Sequence, residues 1–367
     1  MKGAARTLDR RSARAIRTRL LDWYDAEKRD LPWRRSRDPF EIWVSETMLQ
    51  QTRVDAVIPY YERFLERFPD VYALASADLE DVYGVWEGLG YYSRARNLKR
   101  AAEQVVSEFG GELPDDPVAL RQLPGIGRYT AGALASIAFD RPEPVVDGNV
   151  SRVLTRLLGI REDIRDRAVS ENLWRDARAL ADGPRPGDLN QALMELGATR
   201  CTKHSPGCAG CPLGRHCDAR KVGDAASLPK KTAKRPPTQV LATAIWLLRN
   251  DKVLVIRRRS QGLLGGLWEL PGGECREGEA PSQALRRGLR KTLRLEARKV
   301  KRVGEVQHVF SHRKLSLFVF RGTPAPGRVR RCEVEAHRWV RPSALASLPC
   351  GGPTRKALAL LAASFAG

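Results

Sequence analysis

The stretch from residue 120 to residue 150 constrains the fold of this chain more than any other. Within it, Leu123-Pro-Gly-Ile-Gly127 separates two runs whose apolar spacing predicts helices. Pro124 predicts the end of the first helix, and Gly125 and Gly127 accept backbone angles that side chains disfavour. The second helix would begin with unpaired amides, which can bind an anion. The sequence therefore predicts a helical hairpin that holds a DNA backbone phosphate, with an ordinary helix–helix turn as the alternative.

Asp147 lies near the far end of this stretch, before a helical run that Gly159 ends. We predict that it is the N-cap of that helix, where backbone amides and the helix dipole would keep the carboxylate ionised. Taken alone, the position favours a structural cap over a catalytic group. A catalytic role for Asp147 requires a partner.

Glu46 is the candidate partner. Asp38-Pro39 predicts the start of a helix, and Glu46 falls inside its apolar stripe, between Trp43 and Leu49. Burial there should raise the pKa of the carboxyl group, although a buried glutamate satisfied by a hydrogen bond is an equal alternative. Together with Asp147, the pattern predicts two carboxyls shifted in opposite directions. Acid-assisted cleavage of a glycosidic bond requires such a pair.

The charge balance indicates a polyanionic partner. The 367 residues, enough for two domains, include 64 Lys and Arg against 43 Asp and Glu, and the pI is about 10.1. Nucleic acid is favoured over an anionic membrane. The apolar runs are too short to span a bilayer, and the N-terminus lacks a hydrophobic signal core. We therefore expect a cytoplasmic protein, associated with the nucleoid if bacterial, without membrane contact.

Four of the seven cysteines crowd into one short segment, as Cys201, Cys208, Cys211 and Cys217. Structural zinc sites usually combine two close cysteine pairs. Here one close pair lies between two single cysteines. Four thiolates on one loop favour a [4Fe–4S] cluster, with zinc as one alternative and free or disulfide-bonded cysteines as another.

Aromatic residues on a glycine-rich turn form a further candidate site. Tyr91 and Tyr92 follow Gly88-Leu-Gly90 and precede a basic helix, a pattern that suits base stacking or wedging into a duplex. Tyrosines packed beneath the turn are the alternative, which we favour for Tyr92. Gln51 and Thr52 could likewise probe a base pair or simply end a helix.

A change of composition divides the chain. We predict a first domain over 1–225, a charged, proline-bearing linker over 226–237 and a second domain over 238–367. In the second domain, two strand-like runs flank Asn250-Asp251, a hairpin signal.

At this point the sequence resembles known families. The hairpin, Asp147 and the four-cysteine loop resemble the helix-hairpin-helix DNA glycosylases of the endonuclease III superfamily. Within it, residues 43–52, 88–92 and 146–150 are similar to the adenine DNA glycosylases. The resemblance implies a multidomain fold: an all-α helix-hairpin-helix domain with an iron–sulfur loop, followed by an α+β Nudix-like domain.

The resemblance also implies roles for individual residues. Glu46 would protonate adenine, and Asp147 would stabilise the oxocarbenium-like sugar, directly or as a transient adduct, with support from Tyr129 and Asn149. Tyr129 stands where strand-cleaving relatives carry a lysine, which implies a monofunctional enzyme. Trp33, Arg34 and Gln191 would contact the extruded adenine, and Gln51, Thr52, Leu89 and Tyr91 would fill the gap and engage the opposite base.

The second domain resembles a Nudix fold whose motif is degraded. Gly273, Glu279 and Arg287 are correctly spaced, but Lys291 and Thr292 stand where carboxylates would bind Mg²⁺. Pyrophosphate hydrolysis is therefore not expected, and the resemblance implies a recognition module for the oxidised guanine. The matching loop contains Phe310, Ser311 and His312. The implied partner is duplex DNA with adenine opposite 8-oxoguanine, or opposite guanine, bound by a monomer in base excision repair.

Three other functions remain open. A lyase-competent glycosylase is opposed by Tyr129. A Nudix pyrophosphohydrolase with a DNA-binding first half is opposed by Lys291 and Thr292. A non-enzymatic iron–sulfur protein that binds DNA is opposed by Glu46 in an apolar stripe.

Overall fold

In the computed structural model, the described residues are 8–232, 236–330 and 332–366, and they form two compact units. The first unit takes in the chain up to Ser76 and resumes at Asn97. Residues 77–96 belong by their contacts to the second unit, together with the C-terminal part of the chain. The compact units therefore interleave along the sequence. The predicted domain limits at 225 and 238 stay predictions.

Helices dominate the chain up to residue 232. They are α1 (Arg10–Glu27), α2 (Pro39–Leu49), α3 (Val54–Arg67), α4 (Val71–Ser76), α5 (Leu79–Trp86), α6 (Ser93–Phe109), α7 (Pro117–Leu120), α8 (Arg128–Ile137), α9 (Gly148–Leu158), α10 (Arg167–Ala181), α11 (Pro186–Thr199) and α12 (Asp218–Val222). Short 3₁₀ helices span Pro32–Arg34 and Ala225–Ser227. None of the helices in the described ranges is both long and apolar enough to cross a bilayer.

Helix α8 lies at the centre of the first unit. Every residue from Thr130 to Ile137 is buried, because small and apolar side chains occupy all its faces. Helices α2, α7 and α11 contact it. Helix α9 contacts α11 as well, so α2, α8 and α9 are joined through one packed group of helices.

The described part of the predicted linker packs on the first unit. The amide of Thr232 donates to Asp163 Oδ2 over 2.7 Å, and the amide of Ile164 donates to Lys230 O over 3.2 Å. Leu228 is buried. Residues 226–232 are therefore held by the helical unit, and residues 233–235 lie outside the described ranges.

The second unit is built on a mixed sheet. Its strands are β1 (Thr238–Arg249), β2 (Lys252–Arg257), β3 (Trp268–Glu269), β4 (Gly272–Glu274), β5 (Ala297–Val309), β6 (Arg313–Pro324) and β7 (Ala336–Val340), joined by α13 (Pro281–Leu293), a 3₁₀ turn (Pro342–Leu345) and α14 (Gly352–Ala366). The order is β3-β2-β1-β6-β5, with β4 paired to β1 and β7 to β2. Strands β1 and β6 are parallel, and the other pairs are antiparallel.

Alternate residues of β1 face two separate cores. Ala244 and Trp246 pack in a cluster with Leu361 of α14, whereas Ile245 and Leu247 pack in another with Leu289 of α13. One helix therefore covers each face, as expected for an α+β domain. The predicted hairpin is confirmed, because β1 and β2 pair through a turn in which Asn250 and Asp251 have φ of 50° and 55°.

Candidate active site

Helix α2 places Glu46 in the core of the first unit. The helix begins as predicted, with Asp38 Oδ1 accepting from the amides of Phe40 and Glu41 at 2.8 and 3.0 Å. All residues from Ile42 to Met48 are buried, and Glu46 is 5% exposed. The predicted burial of this carboxyl is therefore confirmed.

Asp147 is the N-cap of α9, as predicted. Its Oδ1 accepts from the amide of Val150 at 2.7 Å, and its Oδ2 accepts from Asn149 Nδ2 at 3.1 Å. Arg152 Nη2 donates to Asn149 Oδ1 at 2.8 Å, and Arg152 Nε donates to the carbonyl of Cys201 at 2.8 Å. The carboxylate is thus oriented by Asn149, which is itself held by Arg152.

Tyr129 connects the hairpin helix to Glu46. Its hydroxyl donates to Glu46 Oε2 at 2.8 Å and lies 3.2 Å from Met194 Sδ. Burial raises the pKa of Tyr129 well above its usual value, so the phenol keeps its proton. One lone pair of the Glu46 carboxyl is therefore engaged by a neutral donor.

The pKa values of the two carboxyls respond first to burial. Burial raises the pKa of Glu46 to about 7; the negative charge of Asp147 adds to the rise, while the Tyr129 hydrogen bond and Arg34 oppose it. Glu46 can therefore hold a proton near neutral pH.

The predicted opposite shift of Asp147 is wrong. Burial raises the pKa of Asp147 too, against the hydrogen bonds from Val150 and Asn149 and the charge of Arg152. The sequence predicted that the backbone amides and the helix dipole would keep the carboxylate ionised, but α9 begins at a cavity wall where burial raises its pKa. More hydrogen-bonding and charged groups favour the ionised form at Asp147 than at Glu46. The difference between the two carboxyls therefore comes from these partners and not from the direction of the pKa shift.

One cavity of about 450 Å³ gathers most of the predicted site residues, a size typical of ligand pockets. Its lining includes both carboxyls. Of the predicted residues, Trp33, Arg34, Glu46, Gln51, Thr52, Tyr129, Asp147, Asn149 and Gln191 line it. Their individual roles stay predictions.

Other predicted residues belong to the second unit. Leu89 is buried and Tyr91 is 42% exposed, on a turn where Gly88, Gly90 and Tyr91 all have positive φ. Tyr92 is packed beneath that turn, as predicted. Their roles at the base opposite adenine stay predictions.

The recognition loop predicted from the Nudix-like sequence joins β5 to β6. Ser311 and His312 are exposed at its tip, with Ser311 Oγ 3.4 Å from His312 Nδ1. Phe310 is partly buried against the ring of His308, at 4.6 Å between centroids. Arg313 Nε donates to His312 Nε2 at 3.2 Å, so the two exposed polar side chains at the tip contact each other and Arg313.

The degraded metal motif is arranged around ion pairs. Arg287 pairs with Glu279 at 2.7 Å, and Lys291 pairs with Glu333 at 3.1 Å. Thr292 Oγ1 donates to the carbonyl of Gly288. The absence of pyrophosphate hydrolysis stays a prediction.

The sequence did not identify Glu195 as a site residue. Glu195 is buried in the cavity wall and pairs with Arg29 at 2.6 Å and with Arg34 at 2.8 Å. Burial alone would raise the pKa of Glu195, but these bonds outweigh it and lower the pKa to about 2. A permanent anion thus fixes Arg34 at the cavity. The only signal in the sequence was a glutamate inside the apolar run of α11.

The hairpin between α7 and α8 has the predicted form with two corrections. Helix α7 ends at Leu120, before Pro124, because the chain already turns at Leu123, whose amide donates to Leu120 O at 3.1 Å. Gly125 has φ of 83°, but Gly127 has φ of −92°, which any residue adopts. Both glycines are exposed. Their binding to a DNA phosphate stays a prediction.

The four predicted metal-ligand cysteines line one small cavity of about 20 Å³ in the loop after α11. The buried guanidinium of Arg156 donates to Cys201 Sγ at 3.3 Å and to three carbonyls of the same loop region, those of Cys201, Thr202 and Lys203. In the described ranges, no group of three or more His, Cys, Asp or Glu side chains is arranged to hold a metal ion as it stands.

Helix α11 approaches the cap of α9 so closely that only glycine fits. A Cβ on Gly197 would lie 2.6 Å from Asn149 Cβ and 3.1 Å from Asn149 Cα. We expect Gly197→Ala to push Asn149 away from Asp147, lowering activity at least tenfold and stability by about 1–3 kcal/mol. Single-turnover kinetics and thermal unfolding would check this. Gly84→Ala, where a Cβ meets nothing within 4 Å, is the control. Full activity in Gly197→Ala would contradict the tight packing.

Comparison with known proteins agrees with this geometry. Residues 44–178 match the HhH-GPD superfamily base excision DNA repair protein model, and residues 243–360 match the NUDIX domain. A thermostable thymine-DNA glycosylase structure aligns with a TM-score of 0.53 and 28% identity, over 57% of this chain and 97% of that one. The fold and the carboxyl-lined cavity thus define a helix-hairpin-helix DNA glycosylase with a Nudix domain.

Full-length relatives narrow the assignment further. Adenine DNA glycosylase of Mus musculus is 41% identical over 364 residues, which cover 83% of this chain and 70% of the mouse protein. Adenine DNA glycosylase of Schizosaccharomyces pombe is 32% identical, over 85% of this chain and 82% of that protein. The chain belongs to the adenine DNA glycosylase family.

Proposed function

We propose that this enzyme removes adenine from duplex DNA where the adenine lies opposite 8-oxoguanine or guanine, as a step of base excision repair. The observation that carries the proposal is the placement of Glu46 and Asp147 in one cavity, the first with a pKa of about 7. Family membership supplies adenine as the base. The strongly basic chain suits a duplex partner, bound by a monomer on chromosomal DNA.

The carboxyl pair supports a complete reaction. Glu46 transfers its proton to the adenine ring, and the C–N bond breaks with its electrons leaving on the base. The sugar becomes oxocarbenium-like, and the anionic Asp147 stabilises it. Water then adds to the anomeric carbon and loses its proton to the ionised Glu46. The products are free adenine and an abasic site, and Glu46 is again protonated.

Tyr129 supports a monofunctional reaction. Its phenol cannot form a Schiff base with the sugar, and none of the described residues that line the cavity is a lysine. Borohydride treatment during turnover should therefore trap no covalent protein–DNA adduct. A trapped adduct would restore the lyase alternative.

The opposite base is the direct test of the substrate. Single-turnover release of adenine should be measured from duplexes that differ only in the base opposite adenine. We expect release to be fastest opposite 8-oxoguanine, slower opposite guanine and slowest opposite thymine. Equal rates opposite all bases would contradict the mispair specificity, and no adenine release at all would contradict the function.

The β5–β6 loop should carry the discrimination between 8-oxoguanine and guanine. Ser311 and His312 are exposed polar groups that can meet the altered edge of the oxidised base. We expect the double substitution Ser311→Ala with His312→Ala to reduce the rate ratio between the two substrates by about tenfold, the value of one or two lost hydrogen bonds. Ser347→Ala, an exposed serine elsewhere in the same unit, is the control. An unchanged ratio would remove this loop from recognition.

The four cysteines suit a [4Fe–4S] cluster. They line one cavity, and the buried guanidinium of Arg156 donates to Cys201 Sγ at 3.3 Å. A cluster bound by these cysteines would cross-link residues 201–217. We expect about four irons and four sulfides per chain, and their loss in Cys211→Ser. Cys332→Ser, an exposed thiol, should retain them. Iron-free protein purified without air, or zinc in its place, would contradict the cluster.

A further inference from the structure

The hydroxyl of Tyr129 has two acceptors for one hydrogen. Its oxygen lies 2.8 Å from Glu46 Oε2 and 3.2 Å from Met194 Sδ, and both atoms are within hydrogen-bonding range. A thioether sulfur accepts hydrogen bonds, although weakly. Because a phenol has a single hydrogen, Tyr129 donates to one of these two atoms at a time. Which atom accepts the hydrogen depends on the charge of Glu46.

Helix α11 holds the sulfur at this position. The residues of α11 that line the cavity are spaced as one face of a helix, and they are Gln191, Met194, Glu195 and Ala198. Glu195 on this face is anchored by its ion pairs with Arg29 and Arg34. Helix α11 also packs against α8, the helix that contains Tyr129. The backbone on both sides of the contact between sulfur and hydroxyl is therefore fixed.

The two protonation states of Glu46 favour different hydrogen-bond arrangements. An ionised Glu46 accepts the Tyr129 hydrogen, because a hydrogen bond to a charged acceptor is about twice as strong as one between neutral groups. The sulfur then receives no hydrogen. A protonated Glu46 can donate from Oε2 to Tyr129 Oη, and the Tyr129 hydrogen can then turn to Met194 Sδ. The sulfur therefore stabilises the protonated state and not the ionised one.

We propose that Met194 is a positioning residue, whose sulfur accepts the Tyr129 hydrogen while Glu46 is protonated and so helps Glu46 to keep its proton until adenine takes it. The proposal rests on the proposed function, in which Glu46 is the acid. When Glu46 becomes a carboxylate, the Tyr129 hydrogen returns to it. Without the sulfur, the hydroxyl would have Glu46 as its acceptor in both states, which favours the carboxylate.

Charged groups on the surrounding elements also act on Glu46, and removal of the sulfur leaves them unchanged. They are Asp147 of α9, Arg34 of the 3₁₀ helix at residues 32–34, and the ion pair of Arg29 with Glu195 in the cavity wall. Helix α3, which packs on α2, lines the cavity with the uncharged Val54. Methionine, leucine and norleucine are all uncharged. A change in the pKa of Glu46 on exchange among them therefore reports on the hydrogen bond.

The experiment replaces the sulfur with a methylene group of nearly the same shape. The chain has 3 methionines, so the full-length Met48→Leu protein grown with norleucine has a norleucine at 194 and otherwise only at residue 1. The same protein grown with methionine is the matched control, since Met48 is buried on α2 and is not among the described residues that line the cavity. Met194→Leu repeats the test by mutation.

The pH profile is the first measurement. We expect norleucine to move the alkaline limb of single-turnover adenine release to lower pH by about half a unit, a shift that fits one weak hydrogen bond. The rate should fall about threefold at pH 8 and less than about 1.5-fold at pH 6. A residue that only packs against Tyr129 would change the rate without moving the limb.

A second measurement does not depend on activity. The C=O stretch of the protonated Glu46 carboxyl can be followed by infrared difference spectroscopy of the free enzyme, and it is assigned by its loss in Glu46→Gln. We expect this band to reach half intensity about half a pH unit lower with norleucine than with methionine.

Two outcomes would overturn the proposal. If the limb and the infrared titration both stayed in place, Met194 would be a packing residue. Equal slowing at every pH, together with a lowered unfolding temperature, would indicate structural damage alone. Failure of the proposed function is a different result, in which the wild-type enzyme releases no adenine. The infrared titration would still decide in that case whether the sulfur acts on Glu46.

Discussion

Glu46→Gln should abolish base release, with a loss of about 10²–10⁴-fold in single-turnover rate and duplex binding unchanged. The amide has nearly the same size and can still accept the Tyr129 hydrogen bond, but it has no acidic proton to give to adenine. Proton donation by a positioned acid is typically worth a factor of this size. Because Glu46 is buried, the change leaves the outer surface of the unit nearly unaltered.

The control for Glu46→Gln is a second buried carboxyl that does not line the cavity. Asp176 is 2% exposed and lies on α10, where it accepts only from the amide of Leu8 among the bonds described. Asp176→Asn should retain wild-type release after correction for any loss of stability. Excision by Glu46→Gln within twofold of wild type would show that this carboxyl is a satisfied core residue.

Asp147→Asn should reduce release by about 10²–10³-fold, the usual value of one electrostatic contact with a charged transition state. The asparagine can still accept from the amide of Val150 and cap α9, so folding should be nearly intact. What it removes is the negative charge that the oxocarbenium-like sugar requires.

A second N-cap aspartate serves as the control that distinguishes loss of the negative charge from loss of the helix cap. Asp166 is the N-cap of α10 and accepts from the amides of Ala168 and Val169, but it is exposed and away from the cavity. Asp166→Asn should leave release unchanged. If Asp147→Asn also kept its rate, Asp147 would be a structural cap, the interpretation that its position alone favours.

Local features of the sequence were sufficient to predict much of the helical unit. The cap of α9 at Asp147 and the burial of Glu46 follow from residues within a few positions of each. Such short-range rules depend on backbone geometry and helical period, which the sequence contains directly. The sequence was therefore enough to identify the two carboxyls as candidate catalytic groups. It was not enough to predict the distance between them.

Features set by distant contacts could not be predicted. Glu195 acquires its role from Arg29 and Arg34, more than 160 positions away. The raised pKa of Asp147 depends on the cavity around it, which several helices build. The attachment of residues 77–96 to the C-terminal unit likewise depends on partners such as Arg355. Periodicity contains no information about any of these contacts.

The pH dependence of adenine release tests the central claim most directly. Glu46 acts as an acid only when protonated, and its pKa is about 7. We predict that the single-turnover rate of the wild-type enzyme is highest below neutral pH and falls about tenfold per unit above pH 7, while Glu46→Gln loses this alkaline limb. A wild-type rate that stays constant or rises between pH 7 and pH 9 would contradict the account.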